Sequence, residues 1–304
     1  MLEDFKVNGK NAISRACRVM STSRSSMGYL SVKNDSALAE KLQDLAKDHP
    51  REGFWKFYFR IRNKGEIVNH KRVHRVYKKI GLSQRRKHRK RLPARVKEPL
   101  AIPPSFTHTW SIDFMSDALQ GGQKFRTFNI IDDYNREVLF IEVDYSLKSS
   151  RVIWVLRHLI SRFGKPKKIR MDNGPEFIAR LLTVWAEVNG IELKYIQPGK
   201  PTQNGYIERF NGSYRDGVLD ACMFTTLEDV RNETAKWVFD FNHFRPHDSL
   251  GGIPPIAYRE ANQFNQLIPS GGRSASSQAT PSPSLHAPQR ELTFYSKKLN
   301  IVYL

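Results

Sequence analysis

Ile169-Arg170-Met171-Asp172-Asn173-Gly174-Pro175-Glu176-Phe177 and, downstream, Gln203-Asn204-Gly205-Tyr206-Ile207-Glu208-Arg209-Phe210-Asn211 are the segments on which the reading of this 304-residue chain turns. In the first, a short apolar strand delivers Asp172 to a turn; in the second, a polar, glycine-broken approach delivers Glu208 to the start of a helix. Thirty-five residues separate the two carboxylates. Upstream, Trp110-Ser111-Ile112-Asp113-Phe114 sets a third carboxylate inside an otherwise apolar strand.

Carboxylates are costly in a strand unless something cationic neutralises them. If the strands carrying Asp113 and Asp172 are neighbours, the two side chains converge at one sheet edge, and Glu208 on a helix crossing that edge completes an acidic cluster. Three acids with little room for three positive partners call for a hard divalent cation, Mg²⁺ or Mn²⁺. Two such ions roughly 3.5–4 Å apart clamp the attacking and leaving oxygens of an in-line phosphoryl displacement. A lone Asp after a strand is usually a turn or cap residue, so other carboxylates compete. Asp132 and Asp133 fall in an expected hairpin turn, and Glu176 falls where it favours a helix macrodipole. Asp216, eight residues past Glu208, is harder to dismiss.

The surrounding pattern supplies a fold. Trp110–Phe114, Phe125–Ile131 and Val138–Val143 read as strands and Ser149–Phe163 as a helix. Lys168–Met171 is a strand, Pro175–Asn189 a helix, Glu192–Ile196 a strand and Thr202–Leu219 a helix. Three strands, then helix, strand, helix, strand, helix, is the order of a ribonuclease-H-like α/β fold, with a mixed five-stranded sheet flanked by helices. Thr226–Phe241 and a last helix ending near Phe264 follow.

Charge marks the other half of the chain. Lys plus Arg number 50 against 30 Asp plus Glu, a net +20. Eighteen of those cations lie between Arg51 and Lys97 against two acids, so this segment alone carries +16. With Phe54, Trp55, Phe57, Tyr58 and Phe59 interleaved, it favours nucleic acid over a merely solvated face. Three helices are expected here, near Ala37–Lys47, Phe54–Asn63 and Lys71–Ile80. On the last, Val73, Val76, Tyr77 and Ile80 face inward, while Lys71, Arg72, Arg75 and Lys79 face out to contact DNA, mostly at phosphates. The expected division is a partial helix-turn-helix-like segment over 1–35 and a basic three-helix DNA-binding module over 36–84. A basic, Pro-containing linker over 85–105, a catalytic core over 106–264 and a low-complexity tail with a short terminal strand over 265–304 complete it.

The loop from Pro198 to Tyr206 cannot continue a strand or helix and is expected as a rim beside the acids. Lys200, Gln203, Asn204 and Tyr206 would then grip a DNA end, with Tyr206 stacked on an unpaired base. The competing reading is an ordinary strand-to-helix connection capped by Thr202. Two cysteines, Cys17 and Cys222, offer no Cys-based zinc site. No apolar run is long enough to span a membrane, and a cytoplasmic, nucleoid-associated protein is expected.

The spacing of Asp113, Asp172 and Glu208 resembles that of the DDE transposases and retroviral integrases. The local wording is similar to the second-frame (OrfB) product of the bacterial insertion-sequence-three family. It is carried by Trp110–Phe114, Asp172–Phe177, Pro198–Asn211 and Phe244-Arg245-Pro246-His247, and the likeness covers about Ala12 to Tyr258. It implies Asp113, Asp172 and Glu208 as a metal-holding catalytic triad for strand cleavage and strand transfer at element ends. It also implies a basic residue seven places after the Glu, matched by Arg215, which nearly two helical turns place on the face of Glu208. Its implied partners are double-stranded terminal repeats and target DNA, further copies of the chain on that DNA, and an upstream-frame (OrfA) product or fusion. The His-His-Cys-Cys zinc module of retroviral integrases has no counterpart, since His70 and His74 lack a cysteine pair. A non-catalytic DNA binder that occupies element ends or regulates the full transposase is the other reading; three specific acids kept together favour the enzyme.

Overall fold

The computed structural model describes residues 10–21, 23, 25, 34–84, 102–172, 174, 180–196 and 204–267. The linker over 85–101, Glu176, Lys200, Thr202, Gln203 and the tail from 268 onward lie outside the described residues. The chain forms two compact units, Met1–Lys41 and Leu42–Leu304. The first carries helix α1 (Lys10–Val19) with buried Cys17. Helix α2 (Ser36–Asp48) spans the boundary, and α3 (Phe54–Asn63) and α4 (His70–Lys79) follow.

The sheet of the second unit holds β1 (Thr109–Ala118), β2 (Lys124–Asp132), β3 (Val138–Asp144), β4 (Lys168–Met171) and β5 (Glu192–Tyr195), in the order β3-β2-β1-β4-β5. β1 to β3 form an antiparallel meander, and β4 and β5 add in parallel beside β1. This is the mixed ribonuclease-H-like sheet expected from the element order. β1 and β4 are neighbours, the condition on which convergence of their acids depended.

Alternation along the strands builds two cores. Trp110, Ile112, Phe128 and Ile130 face one side, against α5 (Ser149–Phe163) and α6 (Arg180–Val188). Phe125, Ile131, Val138 and Ile141 face the other, where α7 (Gly205–Tyr214) supplies Ile207, Phe210 and Tyr214. Helix α8 (Leu227–His243) closes that side with Val230 and Phe241. A bulge opposite Ile130 and Ile131 lets the successive residues Leu139 and Phe140 of β3 serve the same core. Helix α9 (Pro255–Leu267) is the last described element.

The helix expected over Thr202–Leu219 divides. Its α-helical part starts at Gly205, and Arg215–Leu219 widens into a π-helical turn. Gly217 lies there so close to Trp237 that a Cβ would run into the indole.

α3 does not stand apart as a solvated basic helix. Phe57 and Tyr58 are buried, and Phe59 lies over Gly252, where a Cβ would sit 2.6 Å from the ring. Arg60, 5% exposed, donates to both oxygens of Glu52 at 2.7 and 2.9 Å and to both of Asp240 on α8 at 2.9 and 2.7 Å. Lys56 donates to the Pro246 carbonyl and Asn63 to that of Gly252. The helix is thus keyed to the α8–α9 connection by buried, charge-assisted hydrogen bonds, which are about twice as strong as neutral ones.

Candidate active site and nucleic-acid interface

β1 is closed over its first half and opens at Asp113. Counting from the buried Ile112, Asp113 points to the α7 side. Carrying the β1–β4 register on by two residues sets Asp113 level with Asp172. Asp172 leaves β4 in a tight turn, its Oδ1 accepting the Gly174 N–H at 3.0 Å. Glu208 lies in the first turn of α7 and is exposed, and Asn211 follows one turn on, over the same stretch of sheet.

Asn211 ties helix to sheet. Its Nδ2 donates to Asp113 Oδ2 at 2.7 Å, and its Oδ1 accepts from Asn129 Nδ2 at 2.7 Å. Asn129 is the residue directly opposite Asp113 on β2. Since a carboxylate only accepts, the Asn211 amide must turn its NH₂ to Asp113, and Asn129 must donate in turn. The second Asp113 oxygen accepts from the Phe114 N–H at 2.8 Å.

Both partners of Asp113 are neutral, and the charges beside it have its own sign. Burial, opposed by these hydrogen bonds and reinforced by Asp172 and Glu208, pushes its carboxyl up to about 6. Desolvation also raises Glu208. Elsewhere the buried acids are provided for: Glu52 has Arg60, Asp133 has Arg170 and Ser111, Glu137 has Arg259, and Glu142 has Arg151. Asp132, pushed up to about 7 by burial, accepts two backbone N–H groups. The expected competitors in the hairpin turn are therefore structural. Asp216 is exposed and faces Arg51 at 4.0 Å.

Among the described residues, Asp113, Asp172 and Glu208 have no ion pair. Hard oxygens of one sign, level across two strands and a helix, fit a hard divalent cation. Among the described residues, the group whose potential metal-ligating atoms all lie within 4.8 Å is His49, Glu52 and Asp240, but Arg60 already fills its centre. The three site carboxylates stand wider apart than that, as mutually repelling groups do.

The other residues expected to touch DNA divide. Arg215 stands at the head of the π-helical turn and is held by Asp117 at 3.2 Å and the Ser116 carbonyl at 3.1 Å, so it is anchored on the open end of β1. Asn204 is 2% exposed and directly precedes α7, where its side chain makes no cap bond. The ring of Tyr206 carries the Arg136 guanidinium 3.4 Å from its centroid. Neither side chain offers the open grip expected of it. On α4, Lys71, Arg72, Arg75 and Lys79 are exposed as expected, while Val73, Val76 and Tyr77 are buried. Lys71 and Arg75 border a cleft of about 340 Å³ with His70, His74, Phe54 and Trp55. Trp55 is 54% exposed and stacked on His70. Sequence reasoning passed over Asn211 and Asn129. The three-residue step from Glu208 could have singled out Asn211; Asn129 needs the sheet register.

Residues 105–201 and 189–255 match integrase core domain families, and residues 33–91 match an HTH-like domain. The chain is 40% identical over 259 residues to the insertion element IS407 uncharacterized 31.7 kDa protein of Burkholderia multivorans, covering 84% of this chain and 93% of that one. It is 35% identical to the insertion element IS476 uncharacterized 39.2 kDa protein of Xanthomonas euvesicatoria, covering 84% and 75%. Among solved structures it is similar to the HTLV-2 integrase catalytic core domain in complex with magnesium, with 19% identity, 51% of this chain and 98% of that one covered, and a TM-score of 0.42.

Proposed function

The chain belongs to the insertion-element family of integrase-core proteins, and from that premise we propose that it is a DDE-type transposase that cuts and joins DNA strands at element ends. The observation that carries this reading is the set of un-neutralised carboxylates, Asp113, Asp172 and Glu208, gathered in the integrase core beside a basic helical module. These three side chains would hold Mg²⁺ or Mn²⁺, as a pair of ions; when bound, the metal supplies positive charge for an in-line displacement at phosphorus.

Asn211 and the Phe114 N–H fix the Asp113 carboxylate, and Asn129 fixes Asn211. In cleavage a water oxygen bonds to phosphorus as the 3′ oxygen leaves. In joining, that 3′ hydroxyl attacks a target phosphodiester, and the target's own 3′ oxygen leaves. One phosphodiester replaces another, so joining needs no nucleotide cofactor. The helices from 36 to 84 would serve as the DNA-binding module, with Lys71, Arg72, Arg75 and Lys79 on phosphates and Arg215 near the cut strand. Lys200 and Gln203 would hold the DNA end, further copies of the chain would assemble on the DNA, and an upstream-frame product would join as partner or fusion.

Incubation with an end-labelled duplex carrying the element terminus tests the reading. Mg²⁺ or Mn²⁺ should produce a nicked strand and, with target present, a joined product. Tight binding with no metal-dependent product would replace the enzyme with a DNA-occupying protein.

A further inference from the structure

Helix α7 has two working faces. Glu208, Asn211 and Arg215 follow one another at helical spacing toward the acidic site. Tyr206, Arg209, Phe210 and Ser213 repeat at the same spacing on nearly the opposite side. This second face borders a cleft of about 300 Å³ whose far walls come from Lys56 of α3 and from Arg245 and His247 of the α8–α9 connection. Arg136 closes it over Tyr206. Four cations, Lys56, Arg136, Arg209 and Arg245, thus line one cleft with a single lining carboxylate, Asp248; of the four, Arg245 also lies 3.7 Å from Glu52. Arg209 is exposed and has no ion pair among the described residues.

A second observation concerns a residue of the same lining. His247 Nε2 is buried and has no hydrogen-bond partner among the described residues. Its ring packs edge-on against that of Phe241, the centroids 4.6 Å apart. Burial, then the Lys56 and Arg245 charges, hold the imidazole down to about 3, so it is neutral among these cations. Burial and neighbouring cations lower Lys56 in the same way. An anion in the cleft would relieve these groups: it adds a partner for the cations, and it lets the imidazole take up a proton from solvent and donate through Nε2.

We infer that this cleft, on the face of α7 turned away from Asp113, Asp172 and Glu208, is a second phosphate site that grips a DNA backbone phosphodiester away from the bond being cut. The inference rests on the DNA strand-cutting reading above. A helix is about 10–12 Å across with its side chains, and duplex DNA rises 3.4 Å per nucleotide, so the gripped phosphate lies roughly three or four nucleotides from the scissile one. The site would hold the strand in register while the acids act on it.

The test pairs backbone neutralisation with mutation in the full-length chain. Element-end duplexes are made with one methylphosphonate at each position in turn, and affinity is measured for the wild type, Arg209→Gln and Ser213→Glu. Arg209 is exposed, and Ser213→Glu places a carboxylate among cations, so both variants should keep the wild-type melting temperature. The wild type should lose two- to tenfold in affinity at one phosphate near the cut. Both variants should bind the unmodified duplex correspondingly weaker and be indifferent to that methylphosphonate. The log–log salt slope should also flatten by about 0.9, as it does when one phosphate is no longer neutralised. If the wild type binds and cuts but the variants keep its interference pattern, the phosphate site is wrong and the transposase reading stands. If the wild type neither binds nor cuts the duplex, both are wrong.

Discussion

Asp113 carries the tension of the site, because the fold buries it between two other carboxylates and gives it only neutral hydrogen-bond partners. Its carboxyl stands at about 6 in the folded chain, above its ordinary 3.8. The native state therefore binds the proton more tightly than the unfolded chain, and stability from this group falls as pH rises from about 4 through 6. Two pKa units correspond to about 3 kcal/mol. In metal-free buffer at pH 8, Asp113→Asn should melt higher than the wild type by several degrees, at about 2–4 °C per kcal/mol for a domain of this size. Near pH 4 the two should melt together. Equal melting temperatures at both pH values would show that Asp113 is not strained by its neighbours. Asn211 is a positioning residue on the same account. Asn211→Ala should cost about 10–100-fold in cleavage rate, as loss of a ligand-orienting partner does. It should also move the acid limb of the pH–rate profile upward, since its hydrogen bond favours the charged carboxylate. A rate loss with an unmoved profile would make Asn211 merely a packing residue.

The elements show why α3 and the core fall within one compact unit. Arg60 of α3 sits between Glu52 and Asp240, and although desolvation opposes it, the guanidinium holds Glu52 below its usual value. Removing one member of a buried ion pair strands the other, at about 3–5 kcal/mol; Arg60→Ala should show that loss in chemical denaturation. Restoring the melting curve with Glu52→Gln in the same chain would confirm the cause. Gly252, at φ 84° and against the Phe59 ring, is the second key. Gly252→Ala adds about 1–2 kcal/mol of backbone strain and must displace that ring. It should destabilise the chain more than Gly251→Ala, where φ is 73° but nothing lies within 4 Å. Equal losses at the two glycines would mean that α3 is not packed there. The strands and helices were legible from alternation and helical spacing, and Asp113, Asp172 and Glu208 from their wording and spacing. The docking of α3 was not, because a basic, aromatic-rich helix reads the same whether its aromatics face a core or a nucleic acid. Nor was the covering of Tyr206: Arg136 reaches it from a hairpin turn seventy positions earlier, at φ 64°, a proximity that only tertiary folding creates. The π-helical turn was hidden as well, since its close approach of Gly217 to Trp237 belongs to the packing of α7 on α8.

At the scale of the whole molecule, the positive charge and the acids divide the labour. On the proposed reading the excess of cations would hold the polyanion and the three acids would act on it through a divalent metal, so binding and cutting should separate under mutation. No helix among the described residues is long and apolar enough to cross a membrane. Neutralising Lys71, Arg72, Arg75 and Lys79 together should flatten the salt dependence of DNA affinity by several units, at about 0.9 for each phosphate that the protein ceases to neutralise. An unchanged slope would move the DNA off α4. The central claim, that Asp113, Asp172 and Glu208 work as one metal-dependent centre, is tested most directly by single-turnover cleavage of the labelled element-end duplex in Mg²⁺. Asp113→Asn, Asp172→Asn, Glu208→Gln and the triple variant are compared, with DNA affinity measured on the same preparations. The account predicts that each single variant loses cleavage about as completely as the triple, as residues acting as a unit do, while DNA affinity stays near the wild-type value. Appreciable metal-dependent cleavage by any one of the single variants would remove that residue from the centre and contradict the account.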